Sequence, residues 1–415
     1  MIYLFIHQNF PGQYRHLIRH LVDQPGNSVY CITQQNDNHM RGVIKLVYEP
    51  IVPASLNCHP FTIDFDLAVR NGLAVAEICR RLNNQGVRPD IILGHNGWGE
   101  MMFVKDVFPD VPTLLYFEFY YHARNVDVGF DPEYPGHPQD AFRLRTKNAV
   151  NLLSMDVADW GNAPTLWQRS VQPPEIRPRI SVLHEGVDTN LVIPNPTASL
   201  TLEPGPITLT CADEVVTYVA RNLEPYRGFH MFMRAAREII TRRPRARILV
   251  VGGDSVSYGA AAPKGTTYRE LALREMTTDC DTSRIHFLGQ IPYEHYLTLL
   301  QVSSAHVYLT YPFVLSWSFI EAMSAGCAII GSTTPPVLEV LRDGENGLAV
   351  DFFSPRAIAD KVDEILDQPT RMEHLRKEAR SVAVREFDFK TVTLPKWLRL
   401  MDDLIAGRRP DLYLN

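Results

Sequence analysis

The sequence predicts an α/β protein of two doubly wound, Rossmann-like domains with a cleft between them, and three observations carry that expectation. At 415 residues the chain exceeds what one ordinary core organises. Short strand-like runs alternate with amphipathic helical stretches along it, the pattern of parallel sheets covered by helices on both faces. A proline-rich segment from Pro194 to Pro206 breaks the alternation, because proline continues neither a helix nor a central strand. The expected organisation is a first domain over residues 1–195, a linker over 196–206, a second domain over 207–388 and a final helical segment over 389–415.

The opening MIYLFIHQNF is apolar for six residues with no basic lead and no cleavage site, so it reads as a first strand, IYLFIHQ, and not as a signal peptide. The helical GQYRHLIRHLVDQ follows, then the strands VYCIT and IKLVYEP. The helical DLAVRNGLAVAEICRRLNNQ leads to the strands DIILGH, TLLYFEF and ISVLHEG. Beyond the proline-rich segment come VVTYVARN, RILVVGGD, RIHFLGQ, AHVYLTY, CAIIGS and NGLAVDF, again with helical runs between them. The amphipathic VTLPKWLRLMDDLIAG closes the chain.

Composition narrows the class. Hydrophobic residues at 45% and charged residues at 21% give enough apolar material for buried cores and too little charge for disorder. A net charge of -6, with neither half strongly basic, lacks the footprint of a nucleic-acid binder, so a phosphate ligand must be met locally by a few placed arginines. Cys31, Cys58, Cys79, Cys211, Cys280 and Cys327 form no CxxC pair and read as reduced core residues of a cytoplasmic protein. No run approaches the roughly 20 apolar residues of a membrane span. The helix bearing Arg15, His16, Arg19 and His20 could rest on an anionic membrane, although a solvated helix face is the preferred reading.

Ligands of doubly wound sheets bind outside the carboxyl ends of the strands, so the strand-to-helix turns are the places to search. In HQNFPGQYRHL, Gly12 would let a phosphate approach helix N-terminal amides. In VARNLEPYRGFH, Arg221 and Arg227 flank one turn and could converge on a diphosphate with their forked donors. Gly253 follows a buried strand in RILVVGGDS. In TYPFVLSWSFIEAMSAG, Ser316, Trp317 and Ser318 mark a helix start with free amides, and the Glu321 carboxylate could accept from both hydroxyls of a ribose. In the first half His95 and Glu118 each end a predicted strand, and part of the aromatic run Tyr116, Phe117, Phe119, Tyr120 and Tyr121 is expected to line an acceptor pocket. The strings DFD, Asp64 to Asp66, and DCD, Asp279 to Asp281, read as a helix cap and a solvated loop and not as metal ligands.

Taken together, HEGVDT (184–189), ARNLEPYRG (220–228), VVGGD (250–254), RIHFLGQIPYEHYLTLLQVSSAHVYLT (284–310), FIEAMSAGCAII (319–330) and VLEVLRDGENGLAV (337–350) resemble the family-4 retaining glycosyltransferases of the GT-B architecture. HQNFPGQYRHL and GHNGWGEMMFVKDVFPDVP resemble a bacterial subgroup. The resemblance covers nearly the whole chain and implies a hexosyltransferase-type enzyme moving a sugar from a UDP-sugar or GDP-sugar donor to an acceptor hydroxyl, on a glycan, a lipid-linked acceptor or a small molecule. It implies Arg221 and Arg227 at the donor's diphosphate, Glu321 on ribose, the Ile291 backbone at the base, and the amides of Ser316, Trp317 and Ser318 at phosphate and sugar. Gly12 would approach from the other domain, and the segment after Phe389 would cross back to the first. His95, Glu118 and His122 are the first-domain candidates for orienting sugar or acceptor.

The implied chemistry is transfer with retention, the acceptor hydroxyl attacking from the side of the departing diphosphate. It needs no protein nucleophile, no metal and no cofactor beyond the donor itself. Closure about a hinge would accompany it, in the cytoplasm or at the inner face of the membrane. One position departs from the family: eight residues before Glu321 stands Phe313, where a glutamate usually contacts the donor sugar. That leaves two readings, a transferase with altered donor preference, which is favoured, or a homologue that binds nucleotide without turnover; a nucleotide-sugar epimerase is a separate rival that can share the architecture.

Overall fold

The computed structural model describes residues 1–414 except 51–56, 125, 204, 206 and 277–279. The chain forms two compact units, Met1–Gly186 with Phe389–Asn415, and Val187–Asp388.

Among the described residues unit 1 carries seven strands: β1 (Ile2–Ile6), β2 (Ser28–Thr33), β3 (Val43–Val47), β4 (Ile91–His95), β5 (Thr113–Tyr116), β6 (Trp160–Ala163) and β7 (Ile180–Val182). They form one parallel sheet in the order β3-β2-β1-β4-β5-β6-β7. The apolar run of β1 is explained by its central place: side chains alternate between the sheet's faces, and here both faces are covered. Tyr3 and Phe5 join a cluster with Tyr14, Leu17 and Trp397, whereas Leu4 and Ile6 join one with Val75, Cys79 and Met101. Trp397 lies on the helix Leu394–Ile405 and donates from Nε1 to the His184 carbonyl at 3.2 Å, which ties the end of the chain to this unit. The Arg15–Val22 helix buries Leu17, Ile18 and Leu21, and His16 packs on Phe389 at 5.1 Å, leaving Arg19 exposed.

Unit 2 contains β8 (Ser199–Leu202), β9 (Ile207–Thr210), β10 (Val215–Asn222), β11 (Arg247–Gly253), β12 (Ile285–Gly289), β13 (Ala305–Tyr308), β14 (Ile329–Ser332) and β15 (Leu348–Val350). The last six make a parallel sheet in the order β12-β11-β10-β13-β14-β15. In both sheets the strand order reverses beside the first strand of the series, β1 next to β4 and β10 next to β13. At such a switch point the connecting segments part and leave a crevice at the carboxyl edge.

Three expectations change. The division between the units falls after Gly186, and residues 199–202, expected in the linker, are a strand paired antiparallel with β9. Leu200, Leu202 and Leu209 point into the unit 2 core, and that alternation outweighs the nearby prolines; Pro204 and Pro206 lie outside the described residues. Strand β6, WGNA, has no apolar run to announce it, yet it is buried between β5 and β7 with Trp160 Nε1 donating to Ser181 Oγ at 2.8 Å. Of the six cysteines, Cys31, Cys79 and Cys327 are buried, Cys58 and Cys280 are half-buried and Cys211 is exposed.

His306, wholly buried in β13, meets Thr217 Oγ1 with Nδ1 at 2.9 Å, and its Nε2 has no partner. Burial lowers its pKa to about 4. The unfolded chain therefore takes up a proton below about pH 6.5 that the folded state refuses until near pH 4, so stability is present above that window and is lost as pH falls through it. Replacing His306 by leucine is expected to flatten the drop in melting temperature between pH 7 and pH 4.5; an unchanged drop would remove His306 from the account.

Candidate functional site

In unit 1, β1 delivers His7 to the carboxyl edge and β4 delivers His95, both 3% exposed. The His7 Nδ1 accepts from the Asn9 amide at 3.0 Å, so a neutral ring carries its proton on Nε2 and donates to the Gln13 carbonyl oxygen. That bond turns the Gln13 amide nitrogen toward Glu118 Oε1 at 3.4 Å. Burial, with His95 alongside, pushes the His7 pKa down to about 3 and keeps the ring neutral. His95 repeats the device: Nδ1 accepts from the Gly97 amide at 2.9 Å, and Nε2 faces Glu118 Oε2 at 3.3 Å without an aligned hydrogen bond. Trp98 stacks on the His95 ring at 3.7 Å.

Glu118 thus receives two polar groups fixed from behind, and with His95 it borders a cavity of about 240 Å³ whose wall includes Trp98, Tyr121 and Lys147. The Lys147 ammonium lies 4.3 Å from the Tyr121 ring centre and 3.9 Å from Asp64, and burial lowers its pKa. Of the aromatic run, Phe119 and Tyr121 line this cavity, and Phe117 is buried in the core. His122 bonds the Val171 carbonyl at 2.7 Å through Nε2. Gly12 has φ +55°, and a Cβ there would meet the His7 ring at 2.4 Å, so its glycine is required by this packing. Asp64 and Asp66 sit in the first turn of the helix Ile63–Asn84 without capping it, and Asp66 pairs with Arg70 at 2.6 Å. Asp281 caps the short turn Thr282–Arg284, and Asp279 lies outside the described residues. Among the described residues no three His, Cys, Asp or Glu side chains are grouped to hold a metal ion, and no helix is long and apolar enough to cross a membrane.

In unit 2, Arg221 is exposed at the end of β10. Arg227 is buried, and its Nη1 donates toward Tyr308 Oη at 3.1 Å, Thr310 Oγ1 at 2.9 Å and the Val314 carbonyl at 2.9 Å. It ties the turn after β10 to the loop after β13, whereas Arg221 stands exposed. The Glu224 carboxylate, 1% exposed, accepts from the amides of Ser257, Tyr258 and Gly259 at 2.9 to 3.1 Å. This bond set places the Tyr258 ring 4.9 Å from Phe313 and 5.4 Å from the Arg227 guanidinium. Phe313 is buried among Tyr226, Tyr258 and Tyr311 in an aromatic group. A Cβ at Gly253 would meet Asn222 Oδ1 at 2.6 Å, so close approach of β10 and β11 accounts for that glycine.

The helix Trp317–Ser324 starts at Ser316, whose hydroxyl accepts from the Ser318 amide at 3.4 Å and whose own amide donates to Tyr308 Oη at 2.8 Å. Two of the three expected phosphate-binding amides are therefore already partnered, and the Trp317 side chain is 42% exposed. Glu321 is half-buried on this helix and accepts from Tyr293 Oη at 2.7 Å and Tyr296 Oη at 2.9 Å. Ile291, half-buried just before these tyrosines, packs against the unit 2 core.

Residues 25–192 match the model described as glycosyl transferase family 4 group, and residues 209–382 match that of glycosyl transferases group 1. The chain belongs to the family 4 group of glycosyltransferases. The D-inositol 3-phosphate glycosyltransferase of Rhodococcus jostii is 29% identical over 204 residues, 48% of this chain and 42% of that one. The phosphatidyl-myo-inositol mannosyltransferase of Mycobacterium tuberculosis is 28% identical over 188 residues, 43% and 44% of the two chains. The chain spans about half the length of the curated relatives it matches. Sucrose-phosphate synthase from Thermosynechococcus elongatus aligns with a TM-score of 0.72 at 17% identity, over 98% of this chain and 100% of that one. Anabaena HepE in complex with UDP-glucose aligns at 0.66 and 15%, over 98% and 100%. These two likenesses are of fold, the GT-B fold of two Rossmann-like domains.

Within this family member, sequence reasoning missed His7, Gln13, Trp98, Glu224, Tyr258, Tyr293 and Tyr296. A signal existed for three of them: His7 directly follows the first strand run, and Tyr293 and Tyr296 share a helix face by their spacing.

Proposed function

We propose that this chain is a metal-independent, retaining glycosyltransferase in which unit 2 grips a nucleoside-diphosphate sugar and the unit 1 cavity takes an acceptor bearing a free hydroxyl. The observation that carries the reading is Glu321, a half-buried carboxylate with each oxygen bonded to one tyrosine, one turn inside a helix at the carboxyl edge of the sheet. A carboxylate has about four acceptor sites, so bonds from ribose hydroxyls can add to those from the tyrosines. Arg221 supplies an exposed guanidinium for the diphosphate, and the charge that grows on the departing phosphate is stabilised by such fixed donors. The Glu118 carboxylate, with His95 and Gln13 behind it, accepts a hydrogen bond from the acceptor hydroxyl and orients it for attack. Phe313 offers no acceptor to the sugar, and its aromatic surroundings suit a donor with an apolar face.

A thermal-shift screen of UDP-sugars and GDP-sugars tests this. A ligand at a hundredfold excess over Kd stabilises by about 2.7 kcal/mol, a rise of roughly 5–10 °C for a unit of this size. One donor is expected to stand out, and a flat response across the panel would contradict the reading. Phe313 also favours a second reading, nucleotide binding without turnover; a donor that binds yet is neither transferred, hydrolysed nor epimerised over a broad acceptor panel would establish it in place of the first.

A further inference from the structure

Two helices bring opposite charges to the wall of the unit 1 cavity. The helix Asp140–Asp156 presents Lys147 there, and the first turn of the helix Ile63–Asn84 presents Asp64. Lys147 Nζ and Asp64 Oδ2 stand 3.9 Å apart, close enough to attract and too far to share a hydrogen bond. Among the described residues neither side chain makes a hydrogen bond elsewhere. Their side chains are 33% and 57% accessible, so a ligand in the cavity reaches both. The ammonium is also held in place: it lies 4.3 Å from the Tyr121 ring centre, and Asn148, the next residue along, clasps the Tyr121 backbone. Asn148 Oδ1 accepts from that amide at 3.1 Å and Nδ2 donates to that carbonyl at 2.8 Å. The segment from Glu118 to Tyr121 and the helix bearing Lys147 therefore form one frame. One turn beyond Lys147 on the same wall, Asn151 is 2% exposed and donates from Nδ2 to the Phe119 carbonyl at 3.4 Å, and its Oδ1 has no partner.

We propose that the gap between Asp64 and Lys147 seats an uncharged sugar hydroxyl, and that Asp64 makes the cavity select neutral sugar acceptors over phosphorylated ones. The inference rests on the reading of this cavity as the acceptor's. A hydroxyl both donates and accepts, so one oxygen about 2.8 Å from each group takes a bond from the ammonium and gives one to the carboxylate. A phosphate also gains from Lys147, but it has no proton to give Asp64 and meets a like charge there instead. Among the described lining residues Lys147 is the single lysine or arginine, set against the two carboxylates of Asp64 and Glu118. A second negative charge on the ligand is therefore opposed by the wall as a whole, and like charges brought together are a strong means of rejecting a wrong partner.

The experiment titrates the full chain with glucose, mannose and galactose and with their 1- and 6-phosphates, following binding by ligand-observed NMR. The proteins are wild type, Asp64→Asn and Lys147→Met. Wild type is expected to bind at least one neutral sugar about tenfold more tightly than its phosphates. Lys147→Met should weaken that sugar by about three- to tenfold. Asp64→Asn keeps an acceptor oxygen for the hydroxyl and removes the charge, so it should hold the neutral sugar within about threefold and tighten the phosphates by about tenfold. The ratio of neutral to phosphorylated affinity within one variant is insensitive to a general loss of folded protein. If sugars bind but Asp64→Asn keeps the wild-type ratio, or if wild type prefers the phosphates, the selection by Asp64 is refuted while the cavity remains an acceptor site. If a neutral sugar binds equally well to Lys147→Met and wild type, the seat between the two groups is refuted. If no sugar of either kind binds wild type, the reading of the cavity fails and the inference with it.

Discussion

Replacing Glu224 by alanine is expected to destabilise unit 2 by about 2–4 kcal/mol, because three half-buried amide donors lose a shared, buried carboxylate acceptor at once. The amides of Ser257, Tyr258 and Gly259 converge on that carboxylate, and Asn222 adds bonds to Ser255 and Ser257 at 2.9 and 2.7 Å. Without Glu224 the segment after β11 keeps the Asn222 bonds, the Arg269–Asp254 ion pair at 2.6 Å and the Tyr268 bond to the Ala260 carbonyl at 2.9 Å, but the amides of 257–259 lose their anchor and Tyr258 leaves its place beside Arg227 and Phe313. The melting transition should fall by roughly 10 °C, and donor affinity should fall with it. Glu224→Gln keeps an acceptor oxygen but brings an NH₂ group against a backbone amide, so it should lie between alanine and wild type. A thermal melt that left Glu224→Ala within a degree of wild type would show that the carboxylate is not the anchor of this segment.

The second large effect is expected at Glu118. His95 is held by its stack on Trp98 and by the Gly97 amide, and Gln13 is turned by a neutral His7, so both are fixed whether or not Glu118 is present. The substitution Glu118→Ala therefore removes the one group of the set that is partly exposed to the cavity, its side chain 25% accessible, while leaving the frame standing. Transfer is expected to fall by about 10²-fold or more, with nucleotide affinity unchanged because that grip is proposed for unit 2. Steady-state rates with an identified acceptor, beside calorimetry with the nucleotide, separate the two quantities. Lost nucleotide affinity together with intact transfer would reverse the assignment.

Much of the fold was legible because both sheets are parallel and covered on two faces, so β1, β4, β10 and β11 appear as continuous apolar runs. β6 was not, because Gly161 and Asn162 sit where neighbouring strands and the Trp160–Ser181 bond supply the stability that propensity does not. The β8–β9 hairpin was hidden by the prolines between its two strands in the sequence, although the alternation of Leu200 and Leu202 was present there too. For the site, turns bearing Gly12, Arg221, Ser316 and Glu321 could be read, since glycines and charges at strand ends are visible one residue at a time. Glu224 could not, because its partners are backbone amides 33 to 35 residues away and leave no side-chain signature. For Arg227 the charge suggested a ligand contact, and the three oxygens of its own unit around its Nη1 are a consequence of packing between β10 and β13 that spacing alone does not encode.

Amide hydrogen exchange, followed by mass spectrometry with and without a saturating nucleoside-diphosphate sugar, tests the donor grip most directly. Slower exchange is expected in unit 2 at residues 254–259, 291–296 and 316–321, the segments that carry Tyr258, the two tyrosines and Glu321. Protection confined to unit 1, or no change in any of those three segments at a concentration that raises the melting temperature, would contradict the placement of the donor.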